Sequence, residues 1–174
     1  TVAVPAAVYN NVTAGRVVTI KVTNSDGATS QGINKTAVAL PTGGTTNTYS
    51  GYRSHTFNSS GTFTATALIS QVDALIVAGG GGGGADNSGG GGAGGMLVQT
   101  NVSVSAQGYT ITIGGGGSGA YQSHGDGGPY AVNGSNTSAL GYTAIGGGRG
   151  GSAGGANATS GGSGGGGAGE AASP

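Results

Sequence analysis

The residues best equipped for chemistry gather in one stretch, "AYQSHGDGGPY" at 120–130. There Tyr121, Gln122, His124, Asp126 and Tyr130 stand between glycine tracts, with Pro129 fixing a turn. A tyrosine presents a large rigid face and one hydroxyl, which suits recognition of a sugar or a protein at little entropic cost. The same two tyrosines would serve equally well as caps shielding the ends of the tracts, and the residue pattern leaves both readings open. A second polar loop, "NGSNTSALGY" at 133–142, offers Asn133, Asn136 and Tyr142. These eight residues are the candidates for non-covalent binding.

Other chemistries are poorly supplied. The chain holds two histidines, His55 and His124, neither with an acid partner at a telling spacing. His55 alternates with apolar neighbours in "SHTF" and reads as structural, so no catalytic residue is assigned and the chain is not read as an enzyme. With no cysteine there is neither a disulfide nor a thiolate metal site. "SHGDGG" at 123–128 is the nearest approach to a calcium-binding glycine-aspartate repeat, but it occurs once, and the chain has only four aspartates. No metal is expected. G-x-G-x-x-G can be read at many places, and that abundance removes its meaning. A dinucleotide site needs a helix after the glycines and a phosphate loop needs Gly-Lys, which is absent, so no cofactor is expected.

Charge excludes further partners. Five Lys/Arg balance five Asp/Glu, only 6% of residues are charged, and no lysine follows Lys35. That leaves no basic patch for nucleic acid. The longest apolar stretch, "ALIVA" at 74–78, is far shorter than the roughly 20 residues of a membrane helix, so no membrane insertion is expected. Asn-x-Ser/Thr occurs at Asn11, Asn34, Asn58, Asn101, Asn133, Asn136 and Asn157, a yield that a Ser/Thr-rich chain produces by chance and that matters only in a glycosylating cell. The chain begins at Thr1, which reads as processing or as a fragment of something longer.

The elements that must position these residues follow from glycine. Of 44 glycines in 174 residues, 7 precede residue 75 and 37 follow it. The early part alternates β-branched and polar residues. "GRVVTIKVT" (15–23) is a half-buried strand, "SDGAT" (25–29) a turn candidate, and "NKTAVAL" (34–40) a further strand stopped by Pro41. Residues 41–50, "PTGGTTNTYS", read as a loop or boundary. "YRSHTFNSSGTFTATA" reads as a hairpin turning at Asn58–Gly61, and "VDALIVA" (72–78) as a buried strand running straight into glycine. Beyond it, "MLVQTNVSVS" (96–105) and "YTITI" (109–113) are separated and followed by glycine tracts at 79–84, 89–95, 114–119, 146–151 and 161–169. In a helix interior each glycine costs about 1 kcal/mol against alanine, so the tracts exclude α-helix.

Such tracts are either flexible linkers or a packed array. Serine is sparse inside them, they alternate with aliphatic strands, and their lengths are similar, all of which favours an array. In a polyproline-II-type helix the chain makes no internal hydrogen bonds. Every N–H and C=O must then be satisfied by a neighbour, and only a chain without Cβ atoms lets neighbours come close enough. The fold class expected is mostly β and irregular: short strands followed by an array of packed polyglycine-II-type helices, with essentially no α-helix. The domains expected are a β-rich segment at 1–48 and a glycine-rich domain at 49–174, the latter comprising a β lead-in (49–78) and the glycine array (79–169).

The order of the blocks "GYRSHTFNSSGTFTAT", "VDALIVAGGGGGGADNSGGGGAGGML", "YTITIGGGGSG", "NGSNTSALGYTAIGGGRGGSAGG" and "GGSGGGGAG" resembles a glycine-rich domain family common in phage tail-fibre and tip-adhesin proteins and in large bacterial surface proteins. The resemblance spans about residues 51–169. Leu140 departs from it, standing where an aromatic is usual, and Ile113 is followed by Gly alone rather than Gly-Ala. The resemblance implies a non-enzymatic, extracellular module on a virion fibre or a bacterial surface. Glycine helices would form its scaffold, and the loops between them would bind a host glycan or outer-membrane protein. The alternative is a purely structural subunit that decorates a fibre or capsid surface and recognises nothing. Partners implied are other fibre or virion subunits, in a homotrimer as in many fibre shafts or as a single-chain tip.

Overall fold

The computed structural model describes residues 17–20, 33–36, 39–121, 130–153 and 156–169. The turn expected at 25–29 lies outside them. Among the described residues there are ten short strands and no helix, the rest being irregular extended chain. β1 (Val17–Ile20) pairs antiparallel with β2 (Ile33–Thr36), the two β-branched segments that the alternation marks. Every other pairing is also two-stranded and antiparallel.

Two expectations for residues 41–64 are corrected. The polar stretch read as a loop contains β3 (Thr45–Tyr49), which forms a tight hairpin with β4 (Tyr52–Thr56) around Gly51, whose φ of 80° suits a residue without a side chain. The hairpin expected at Asn58–Gly61 does not form: β5 (Gly61–Thr64) pairs instead with the distant β8 (Gly108–Ile111). Core packing decides this. Phe63, Ala65, Val104 and Ile111 form one buried cluster, with Phe57, Ile69, Val72 and Tyr109 against it, and these come together only when β5 lies beside β8. His55 is structural, as its apolar neighbours suggested. Its Nδ1 is 2.8 Å from the Gly43 carbonyl, and its ring meets Phe63 edge-on at 5.1 Å.

β6 (Gln71–Val77) pairs with β7 (Met96–Ser103) through a bulge, where Thr100 and Asn101 stand opposite Asp73. Asn101 takes a φ of 55° there, and its N–H donates to the Asp73 carboxylate at 2.8 Å. The expectation that 72–78 is a buried strand holds on one face only. Ile76 and Ala78 are buried in a second small cluster with Ala144, whereas Leu75 and Val77 face outward. The β9 (Thr137–Ala139)–β10 (Tyr142–Ala144) hairpin packs on one face of this two-stranded ribbon, and Val72 at its start joins the Phe63 cluster. Leu140 and Gly141 turn that hairpin with φ of 53° and 85°, and Leu140 packs against the Phe63 cluster.

Each of these strands continues into a glycine tract. Tract I (78–84) extends β6, tract II (89–95) leads into β7, tract III (114–120) follows β8, tract IV (132–136) leads into β9 and tract V (145–151) extends β10. Tracts VI (156–162) and VII (163–169) are the last of the described residues. Along tract I, the N–H groups of Ala78, Gly81 and Gly84 donate to the carbonyls of Gly95, Gly92 and Gly89. Those of Gly79 and Gly82 donate to Ser135 and Val132, while the carbonyls of Gly80 and Gly83 accept from Gly117 and Ala120. The carbonyls of Gly79 and Gly82 accept in turn from Gly147 and Gly150. Each neighbour is thus met once every three residues, the period of a polyproline-II-type chain and not the period of two found in a β-strand.

The same bonds give the arrangement. Tracts III, I and II form one row and tracts IV, V and VII a second, with tract I resting on IV and V, tract II on V and VII, and tract VI lying over tract V. All strand junctions fall at one end of the array. The connection 85–88 falls at the other, as do Tyr121, Tyr130 and Ser152, the described residues next to the ends of tracts III, IV and V.

Close approach is selective. A Cβ built at Gly79, Gly81, Gly82 or Gly84 would stand 2.0–2.1 Å from a neighbouring carbonyl oxygen, but at Gly80 and Gly83 the nearest atoms are 3.6 and 3.9 Å away. In tract II Gly90 is likewise open, and three residues on the sequence carries Ala93; in tract III the open Gly115 is followed, three on, by Ser118. The side chains that interrupt these tracts therefore occur on the period the packing leaves free.

This selectivity makes a paired prediction. Gly82→Ala forces a Cβ against the Ser118 carbonyl and is expected to lower stability by about 3 kcal/mol. Gly83→Ala, in open space, is expected to leave it unchanged or raise it by roughly 0.5 kcal/mol through the unfolded chain. Calorimetric melting of the two variants beside the parent protein checks this, and equal melting temperatures would contradict it. Amide exchange at neutral pH gives an independent test. The amides of Gly81, Gly92 and Gly148 should exchange far more slowly than those of an unstructured glycine chain, because each donates to a carbonyl at 2.8–2.9 Å.

Candidate functional site

The eight candidate residues divide into three groups. Gln122, His124 and Asp126 lie outside the described residues. Tyr121 and Tyr130 flank the 121–131 connection at the loop end of the array, 75% and 53% exposed. They stand at one end because tract III runs toward it, with Ala120 donating to Gly83, and tract IV runs back from it, with Val132 donating to Ser118. Beside them the 85–88 connection turns through Asp86 and Asn87, both at positive φ, and the Asn87 carbonyl accepts from Gly169. Tyr142 belongs to the opposite end, on β10, and is not brought together with the other two tyrosines.

Asn133 and Asn136 are exposed, with their side-chain amides engaged by neighbouring tracts. The Asn136 side-chain oxygen accepts from the Gly146 N–H at 2.9 Å, pinning tract IV to tract V. The Asn133 oxygen accepts from the Arg149 N–H at 2.9 Å and from the Thr159 hydroxyl. The Thr159 oxygen is also 3.0 Å from the Arg149 N–H. Because a backbone N–H can only donate, the carbonyl side of the Asn133 amide must face it, which turns the NH₂ group away.

A feature that the sequence reading passed over lies beside Asn133. Ala131, Val132, Asn133, Arg149 and Thr159 wall an open cleft of about 410 Å³ between tracts IV, V and VI. Arg149 is the last cation in the chain, with no Lys or Arg between it and Arg53, and it interrupts "GGGRGG". Its isolation in a glycine tract was a legible signal. Its Nε is buried and has no hydrogen-bond partner. Among the described residues, no group of three His, Cys, Asp or Glu comes together that could hold a metal ion.

The family profile of the glycine-rich domain matches residues 55–174, more than half of the chain. The chain belongs to the glycine-rich domain family. The matched region of this glycine-rich domain takes in all seven tracts and strands β5 to β10, together with the last two residues of β4, His55 and Thr56. No curated protein and no solved structure matches the chain.

The two roles assigned to site residues separate by stability. Asn133→Ala removes an acceptor from the junction of tracts IV, V and VI and is expected to cost about 1–2 kcal/mol. Tyr121→Ser, at a largely exposed position, is expected to leave the melting temperature unchanged. Thermal unfolding followed by circular dichroism checks both, and a destabilised Tyr121 variant would make that tyrosine a cap.

Proposed function

We propose that the glycine-rich domain is a non-enzymatic attachment module, displayed outside the cell on a virion fibre, that binds a host-surface glycan or outer-membrane protein through loops on a scaffold of polyglycine-II-type helices. A bacterial cell surface is the alternative place of display. The observation that carries this reading is the polarity of the array: strands enter at one end, and the 85–88 connection and the exposed Tyr121 and Tyr130 lie at the other. Such an arrangement leaves the loops free to vary without disturbing the tract contacts, and rigid aromatic faces lose little entropy on binding.

A specific observation favours a second, purely structural reading. Leu75 faces Val98 and Val77 faces Met96 across β6–β7, and all four are more than half exposed. An apolar face of that kind suits assembly against another fibre or virion subunit.

Adhesion to host cells separates the two. Replacing Tyr121, Gln122 and Tyr130 with alanine is expected to abolish binding to cells that the parent protein coats, with melting temperature and amide exchange unchanged. Binding at the parent level would favour the structural reading. Incubation with surface polysaccharides is expected to leave their chain length unaltered, and shortening would overturn the non-enzymatic assignment.

A further inference from the structure

We propose that the cleft walled by Asn133, Arg149 and Thr159 binds an oxyanion carried on a sugar, a carboxylate or a phosphate, with the Arg149 guanidinium as its principal partner. The inference deepens the attachment reading and rests on it for the source of the ligand. Three observations support it. Arg149 is the sole Lys or Arg of the glycine array, and its Nε is buried with no acceptor among the described residues. The Nε itself is closed to a ligand; the two terminal nitrogens of the guanidinium, neither buried nor hydrogen-bonded among the described residues, are the donors the cleft presents. The guanidinium offers a planar fork of donors that matches an oxyanion bidentately.

The rest of the wall has the matching chemistry. Asn133 spends its carbonyl oxygen on the Arg149 N–H and the Thr159 hydroxyl, so what it has left to offer is its NH₂ group, a pair of donors. The Thr159 hydroxyl in turn spends its hydrogen on Asn133. Among the described residues, no carboxylate lines the cleft to compete for the cation. Ala131 and Val132 supply an apolar wall, with Val132 52% exposed, against which the non-polar face of a sugar ring can rest. The cleft volume of about 410 Å³ accommodates one or two sugar units. The opposing structural role is that the Arg149 stem merely covers the tracts, and Arg149→Met reproduces that stem without the charge.

Calorimetric titration at low salt tests the site with four probes: an oligogalacturonate, its methyl-esterified neutral counterpart, a sugar phosphate and inorganic phosphate. The parent protein should bind the oligogalacturonate or the sugar phosphate, whichever is the natural class, at least about tenfold more tightly than the neutral oligosaccharide and inorganic phosphate. That affinity should fall with added salt. Arg149→Met should lose at least about tenfold of it, and Arg149→Lys, which keeps the charge but not the fork, should lie between. Both variants should melt with the parent, because the Arg149 bonds inside the array use its backbone.

Unchanged affinity in Arg149→Met, or equal binding of charged and neutral oligosaccharides, would overturn the proposal. Inorganic phosphate binding as tightly as the sugar ligands would overturn its sugar component. The attachment reading fails separately: a parent protein that binds the charged sugar through Arg149 but coats no host cell supports the site and removes the adhesin. One that coats cells without any Arg149-dependent titration keeps the adhesin and removes the site.

Discussion

The structure depends on one kind of contact, backbone N–H to backbone carbonyl between chains that carry no Cβ at the point of approach. At Gly89, Gly147, Gly148 and Gly150 an added Cβ would lie 1.9–2.0 Å from a neighbouring carbonyl oxygen. The tracts are therefore as near one another as backbone can come, and they take their cohesion from hydrogen bonds in several directions in place of apolar burial. Ordering a residue costs on the order of 1–2 kcal/mol, and one bond between two tracts returns only about 1 kcal/mol net. A single tract has no reason to order. A tract such as V, bonded to tracts I, II, IV, VI and VII at once, spreads the entropy of ordering over many partners. Cooperativity of this kind makes the array all-or-none.

The strands solve the remaining problem, which is register. Glycine chains look alike to one another, and a slip by three residues would restore most of the bonds. Five strands run directly into or out of five tracts, and each strand is fixed by side chains that cannot slip: Phe63 and Ile111 in one cluster, Ile76, Ala78 and Ala144 in the other. Asn133 and Asn136 add pins within the array itself, each closing on a single backbone N–H of tract V. Small cores thus suffice, because they set alignment while the backbone lattice supplies extent. The loops at the far end inherit their positions from this alignment, which is how Tyr121 and Tyr130 come to flank one surface.

The candidate site was partly legible before any coordinates. Exposed tyrosines in a polar segment between tracts could be recognised from residue type alone, and Tyr121 and Tyr130 are exposed. Asn133 and Asn136 were chosen for the same polarity; both are exposed, and their side-chain oxygens also accept from backbone N–H groups of tract V, which residue type alone does not reveal. Arg149 was overlooked because one charge in a glycine run resembles a solubilising interruption. Only the fold sets Asn133 of tract IV and Thr159 of tract VI beside it.

By itself the sequence determined that the glycine tracts could not be α-helical and that they would alternate with aliphatic strands. Glycine content and period-two alternation are local properties and can be read locally. Only the tertiary structure decided that β5 pairs with β8 in place of its neighbour β4, that residues 45–49 form a strand, and which glycines in a run of six tolerate no Cβ. Those outcomes turn on partners far along the chain: Gly82 is closed by Ser118 and Gly84 by Gly151, while Gly83 between them is open. Six identical letters carry no record of that difference, because it belongs to the neighbours and not to the glycines.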